Sequence, residues 1–228
     1  MSEVMLHQTQ VARVAAVWPE FSRRFPTPAV MVAAGPGAVI AAWGRLGYPR
    51  RARRLHDAAV VIERDGWPDD LRSLPGVGRY TAAAVLAQAD DVDVPAVDVN
   101  IRRVVQRVTG GVLTETGVES ASVTVGAPLR GRDRLLALMD LGAQVCRARE
   151  PDCGVCPLFA RCATRGPLPG EVRTRQARFE GSFRQRRGRV LARLREGPAP
   201  VGELDADALA SLVADGLAHV SRGRARLP

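Results

Sequence analysis

Four cysteines, and only four, lie within 17 residues of this 228-residue chain: Cys146, Cys153, Cys156 and Cys162, spaced Cys-x6-Cys-x2-Cys-x5-Cys. The fold must bend that short segment into a loop and use its thiols together. Two disulfides packed into so short a span would tie down little of the chain. Clustered thiols in a reducing compartment instead favour a metal site. Spacing leaves two kinds open. A four-cysteine zinc site usually shows two Cys-x2–4-Cys knuckles, and here there is one. Four thiolates equally hold a [4Fe–4S] cube.

All 33 basic residues are arginine, against 24 acidic residues, for a net charge of +9. The absence of lysine excludes a lysine Schiff base, a P-loop lysine and a lysine general base. The basic excess favours a polyanion partner such as nucleic acid, with a solvated basic surface as the plain alternative. Hydrophobic residues at 46% are enough for a packed core, and charged residues at 25% argue against a disordered chain. Met1-Ser2-Glu3 opens no signal segment, and no run approaches the ~20 apolar residues of a membrane span. The chain therefore reads as soluble and intracellular.

Periodicity predicts an all-α array before residue 165. Residues 2–17 read as one helix with Ser2 as N-cap. Thr27-Pro28 opens a helix to Ala34, Gly35-Pro36-Gly37 turns, and 38–44 is helical. An arginine-rich helix spans 50–64, and Gly66-Trp67-Pro68 breaks it. A short helix follows at 69–73, then helices over Arg79–Ala89, from Asp98 to about Val108, over 115–125 and over 131–145. Gly166-Pro167-Leu168-Pro169-Gly170 is a breaker cluster. Beyond it, residues 173–195 hold nine arginines against one acid, Glu180. Helices near 184–196 and 205–216 and a β-hairpin around Gly223 complete the chain, a pattern suggesting a small winged-helix-like domain. A structural cap is the equal alternative. The domains read as 1–110, 111–164 and 165–228.

Leu74-Pro75-Gly76-Val77-Gly78-Arg79-Tyr80 sits between two predicted helices. Its glycines permit a tight turn and close approach, and the amides opening the next helix suit a phosphate. Alone, the motif is weak. Together with Ser2-Glu3-Val4-Met5-Leu6, Gln8-Thr9-Gln10-Val11, Gly47-Tyr48, Arg51-Ala52-Arg53, Val97-Asp98-Val99-Asn100-Ile101-Arg102-Arg103-Val104, Met139-Asp140-Leu141-Gly142-Ala143 and the cysteine loop, it is specific. In this order the chain resembles the helix-hairpin-helix DNA glycosylases of the endonuclease III superfamily, and most of all the adenine-specific mismatch glycosylases of the MutY type. The tail resembles the short extension of actinobacterial homologues rather than a Nudix-like domain.

The resemblance implies monofunctional hydrolysis of the N-glycosidic bond of adenine mispaired with 8-oxoguanine or guanine, in base-excision repair. It implies a monomer acting on double-stranded DNA in the bacterial cytoplasm, at the nucleoid, away from membranes. Glycoside cleavage through an oxocarbenium-like state calls for two carboxylates. The resemblance places Glu3 as general acid, a role that burial favours. It places Asp98 against the sugar. Asn100 orients the site, and Tyr80 occupies the position held by a Schiff-base lysine in bifunctional relatives. Gln8 and Tyr48 enter the base stack. Leu74, Gly76, Gly78 and Arg79 form the DNA-binding hairpin. The resemblance tips the cysteines toward a [4Fe–4S] cluster, ordering a loop where Arg147, Arg149 and Arg161 meet the DNA backbone.

The chain departs from the pattern at His7, where glutamine is usual, and at Pro49, where tyrosine is common. Relatives also carry a further segment ahead of Ser2, so a truncated start is expected. A thymine- or uracil-mismatch glycosylase of the same fold shares Tyr80 and Asp98. A non-catalytic iron–sulfur DNA-binding module is the alternative of a different class.

Overall fold

The structure is a computed structural model that describes residues 1–171 and 177–228. The helices in chain order are α1 (Ser2–Leu6), α2 (Val11–Arg24), α3 (Pro28–Trp43), α4 (Arg50–Asp65), α5 (Arg79–Asp90), α6 (Val99–Thr109), α7 (Glu115–Gly126), α8 (Gly131–Asp140), α9 (Phe183–Glu196) and α10 (Ala206–Ala214). Three short strands follow the same numbering: β1 (Ala199–Pro200), β2 (His219–Ser221) and β3 (Arg224–Arg226). No strand precedes residue 199 among the described residues, so the all-α expectation holds up to the tail. Of the basic stretch 173–195, residues 173–176 lie outside the described residues.

Most boundaries follow local chemistry. The Thr27 hydroxyl accepts from the Val30 amide with Pro28 at the first helical position. Gly35 (φ 77°, ψ 161°) kinks α3 where the turn was expected. The single helix expected over 2–17 is broken instead. α1 ends at Leu6 because Gln8 adopts a left-handed conformation (φ 53°), and α2 restarts at Val11. Met1, not Ser2, occupies the cap position of α1. The helix expected over 131–145 is α-helical only to Asp140 and continues as a π-turn over Leu141–Val145.

The chain packs as two compact units, Met1–Val77 with Gln176–Pro228, and Gly78–Arg175. In the first unit a single apolar cluster joins Phe21, Phe25, Ile40 and Trp43 to Leu191, Leu194, Leu209, Leu212 and Leu217. The Phe21 ring meets those of Phe25 and Trp43 edge-on, at 5.0 and 6.0 Å between centroids. The tail therefore shares its core with α2 and α3. Its strands form an antiparallel sheet in the order β1-β3-β2, with Ala199 and Val220 flanking Ala225. The expected hairpin is β2–β3. β1 was not legible, being two residues long and containing a proline.

In the second unit Ala84, Ala87, Ile101, Val104, Val105, Val118, Val125, Leu135 and Leu138 form a separate core. Among the described residues no single helix is long and apolar enough to cross a membrane.

All three tryptophans, Trp18, Trp43 and Trp67, lie in the first unit. Leu212 is fully buried in the shared cluster. Leu212→Ala is expected to lower the urea stability read by tryptophan fluorescence by about 2–5 kcal/mol in one transition. Unfolding of the tail with no change in the tryptophan signal would contradict a shared core.

Candidate active site and cysteine loop

In the first unit Glu3 is only 7% exposed, on the short helix α1. That helix is too short to be stable alone, and Arg51 of α4 holds it. Arg51 Nη1 donates to the carbonyls of Val4 (2.8 Å) and Met5 (3.1 Å). Arg51 Nη2 donates to Thr9 Oγ1 (2.8 Å) and to the Gly47 carbonyl (3.2 Å). Its guanidinium also stacks over the rings of Trp43 and Tyr48. Burial lowers the Arg51 pKa to about 10, against the opposing pull of Tyr48, so it stays charged at neutral pH.

Arg51 thus ties the Glu3 helix to Thr9 and to the Tyr48 ring, and next to Thr9 stands Gln8, exposed like Tyr48. Both have positive φ, 53° and 47°. Side chains with a Cβ rarely adopt this conformation, and such strain persists only where the surroundings enforce it. His7 lies between Glu3 and Gln8. Burial first, then the Arg51 charge, lowers its pKa, while Glu3 opposes the shift.

In the second unit Asp98 caps α6. Its Oδ1 accepts from the amides of Asn100 (2.9 Å) and Ile101 (2.7 Å), and its Oδ2 accepts from Asn100 Nδ2 (2.8 Å). Asn100 Oδ1 accepts in turn from Arg103 Nη2 (2.9 Å). Arg103 also donates to the carbonyls of Gly142 (2.6 Å) and Cys146 (2.7 Å). A continuous hydrogen-bonded line runs from the Asp98 carboxylate to the first cysteine of the loop. Gly142 permits it, since a Cβ there would lie 2.8 Å from Asn100 Cβ. The Tyr80 hydroxyl donates to the Met139 thioether (3.8 Å), with the ring against the second core.

The hairpin residues behave differently from one another. Leu74 is buried at 5% exposure, so its side chain anchors the turn. Gly76 has φ 81°, and a Cβ there would lie 2.8 Å from Arg54 Cβ. Gly78 is extended and open, and it caps α5 with no side-chain partner. The first amides of α5 are thus left without a side-chain cap, the usual arrangement for receiving a phosphate. Arg79 is ion-paired with Glu119, which leaves position 79 its main-chain amide.

The four thiols line one cavity with Val104, Arg107, Val108, Leu141, Val145 and Leu158. Among the described residues no three His, Cys, Asp or Glu side chains converge as ligands of a single ion must. Four thiols around one cavity are a donor set that fits a [4Fe–4S] cluster. Burial raises the Cys153 pKa, and the other three thiols add to the shift. Sequence reasoning missed Arg107, which is 1% exposed. It donates to Cys146 Sγ (3.5 Å), to the carbonyls of Arg147 (2.8 Å) and Ala148 (3.0 Å), and to Glu171 Oε2 (2.9 and 3.1 Å). The far end of the loop returns to the same turn, with the Ala163 amide donating to the Val108 carbonyl (3.0 Å). An arginine within the apolar stripe Ile101, Val104, Val105, Val108 was the available signal. Arg147, Arg149 and Arg161 are exposed.

Arg107→Met is expected to cost about 3–5 kcal/mol, because it strands the Glu171 carboxylate and frees the loop carbonyls. Arg107→Lys is expected to recover little, since a point charge cannot reproduce the fork. Thermal unfolding of both variants checks this. For His7 the depressed pKa means the folded state disfavours the proton. Stability should fall as pH drops through the ordinary histidine pKa of about 6.5. Urea midpoints between about pH 7.5 and 5.5 should decline less steeply in His7→Gln than in the wild type.

The model for the HhH-GPD superfamily of base excision DNA repair proteins matches residues 1–119. The chain is 45% identical over its full length to the adenine DNA glycosylase of Mycobacterium tuberculosis, covering 84% of that protein. It is 43% identical to the adenine DNA glycosylase of Mycolicibacterium smegmatis over 95% of this chain and 82% of that one. Among solved structures, a thermostable thymine-DNA glycosylase superposes with a TM-score of 0.66 at 27% identity. An endonuclease III–DNA complex gives 0.64 at 25%, and each match covers 72% of this chain and 81% of the other. The chain belongs to the HhH-GPD superfamily of base excision DNA repair proteins, and within it to the adenine DNA glycosylases.

Proposed function

We propose that this protein hydrolyses the N-glycosidic bond of adenine mispaired with 8-oxoguanine or guanine in duplex DNA, releasing the base without cutting the strand. The observation that carries the reading is the 45% identity across the whole chain to an adenine DNA glycosylase. The carboxylate of Asp98, held by three hydrogen bonds, supports it, as does the buried Glu3. The net charge of +9 suits a DNA substrate, met by a monomer at the bacterial nucleoid.

The role assigned to the protonated Glu3 is to give its proton to a ring nitrogen of adenine. The C1′–N bond then breaks with its electron pair leaving on the base. Asp98 stabilises the oxocarbenium-like sugar, and its hydrogen bonds keep the carboxylate in place while charge develops. Water adds to C1′, and the Glu3 carboxylate takes up its proton. Asn100 and Arg103 position Asp98. Tyr80 offers no amine and the chain has no lysine, so no side chain forms a Schiff base, which favours release of the base without strand cleavage. Gln8 and Tyr48 fill the stack left by the flipped nucleotide, offsetting a cost of a few kcal/mol. Cys146, Cys153, Cys156 and Cys162 would hold a [4Fe–4S] cluster. Such a cluster supplies bonds from iron to all four thiolates, closing the loop that presents Arg147, Arg149 and Arg161 to phosphates.

The test is base release from A:8-oxoguanine, A:G and T:G duplexes, with abasic sites revealed by alkali. Asp98→Asn keeps a good helix cap and should lower single-turnover release by roughly 10²–10³-fold. Glu3→Gln should lower it by roughly 10²–10⁴-fold. Release of thymine from T:G would favour the reading suggested by the thymine-DNA glycosylase neighbour. Binding without any release would leave a DNA-binding module.

A further inference from the structure

The hairpin that closes the chain carries its charge on one side. In the pairing of β2 with β3, His219 stands opposite Arg226, Val220 opposite Ala225 and Ser221 opposite Arg224. Ala225 is fully buried in the first core, and strand alternation turns its neighbours Arg224 and Arg226 to the other face. His219 and Ser221 share that outer face through their pairing, and all four residues are exposed. β1, β2 and β3 contain no acidic residue. Among the described residues no ion pair engages Arg222, Arg224 or Arg226, and Arg224 Nη2 donates to the Pro198 carbonyl (2.8 Å).

The tip adds a third exposed arginine on an unusual backbone. Arg222 and Gly223 have φ of 50° and 70°, the pattern of a type I′ turn, in which asparagine or aspartate usually precedes the glycine. A long side chain rarely adopts this conformation, and it persists only where the surroundings enforce it. The Gly223 carbonyl accepts from the Val201 amide (2.9 Å), which holds the turn from beside β1. Both ends of the ribbon are fixed as well. Three residues before β2, the Gly216 carbonyl accepts from Arg53 Nη1 (3.0 Å), and Asp215 pairs with Arg50 (2.9 Å), both of α4. After β3, Leu227 and Pro228 lie against Gly37 of α3. A Cβ at Gly37 would stand 3.3 Å from Leu227 Cβ and run into the Pro228 carbonyl. All of these residues belong to the first unit.

The helix that leads into the hairpin is unsuited to a polyanion. α10 has no basic residue, and it exposes Ala206, Asp207, Ala210 and Val213. We propose that the outer face of β2 and β3, with Arg222, Arg224 and Arg226, is a contact surface for the sugar–phosphate backbone of duplex DNA. A two-stranded ribbon is of a size that a DNA groove admits. Arg224 and Arg226, two residues apart on one face, stand about 7 Å apart along the strand, close to the step between successive phosphates. Their planar forks match phosphate oxygens, and Ser221 adds a hydroxyl donor. Such contacts fix the register of the duplex and carry no sequence information. The proposal rests on the DNA substrate assigned above and uses none of the residues assigned to the flipped base. Arg50 and Arg53, which moor the hairpin, follow Tyr48 by two and five residues. The surface is thus tied to the end of α4 that carries the residue assigned to the base stack.

The test compares full chains of wild type, Arg222→Asn, the double variant Arg222→Asn/Arg226→Gln and a control, Arg23→Gln/Arg24→Gln. The control removes the same charge from the exposed end of α2. Binding to an A:8-oxoguanine duplex and to a matched duplex is followed across salt concentrations. The slope of log K against log salt is expected to shrink by about 0.9 in Arg222→Asn and by about 1.8 in the double variant, equally on both duplexes. Over a four-fold rise in salt, the double variant then loses roughly twelve-fold less affinity than wild type. The control should keep the wild-type slope. Asparagine before glycine suits the type I′ turn, so the Tm of Arg222→Asn without DNA should equal or exceed that of wild type. Wild-type slopes in both hairpin variants overturn the proposal, and a lowered Tm beside them assigns the arginines to the fold. An equal loss of slope in the α2 control also overturns it, because net charge alone would then account for the effect. Hairpin variants that lose binding to anionic phospholipid vesicles while keeping the wild-type slope on DNA place the surface on a membrane and overturn the DNA assignment. Failure of wild type to release any base while the slope difference persists removes the glycosylase reading alone.

Discussion

The second unit depends on one buried guanidinium. Arg107, at the C-terminal end of α6, spends its donors on a cysteine sulfur, two loop carbonyls and the Glu171 carboxylate. Asp98 caps the other end of the same helix. The 11 residues of α6 therefore set the position of the proposed catalytic carboxylate and of the cysteine loop together. Arg103, one turn before Arg107, closes the remaining path through Asn100 on one side and Gly142 and Cys146 on the other. A loop without regular structure has no backbone ladder of its own, and side-chain donors from the helix supply what it lacks.

The first unit solves a similar problem with the same residue type. α1 is five residues long and gains its place through Arg51. The same guanidinium binds Thr9 and Gly47, the neighbours of Gln8 and Tyr48, where the backbone has positive φ. Arginine suits this use because its planar fork addresses several acceptors at once and keeps its charge when half-buried. In a chain without lysine, both the bracing and the polyanion-seeking surface fall to guanidinium groups.

Local signals carried much of the architecture. Thr27-Pro28, Gly35, Gly66, Asp98 and the 74–80 turn acted where their chemistry placed them, because caps and breakers work over three or four residues. The break at residues 7–10 was hidden, since a left-handed glutamine has no sequence signature and the apolar spacing runs across it. The π-helical segment at Leu141–Val145 was hidden because the apolar spacing runs on from α8 without a breaker. Arg51 and Arg107 sat in plain view within helices. Their importance lies in acceptors 39–47 residues away, which no local pattern reports.

By itself the sequence determined the helix inventory, the cysteine set, the exclusion of lysine chemistry and the motif order that marks the family, because each is written in residue type and short spacing. Only the tertiary structure decided which charges are satisfied and which are not. It merged the C-terminal helices with α2 and α3 into one core, committed Arg79 to Glu119, and left the Arg195 Nε buried without a hydrogen-bond partner. The reason is physical. Burial and pairing are properties of surfaces that meet after folding, and residues far apart in the chain acquire their chemistry from the neighbours that packing gives them.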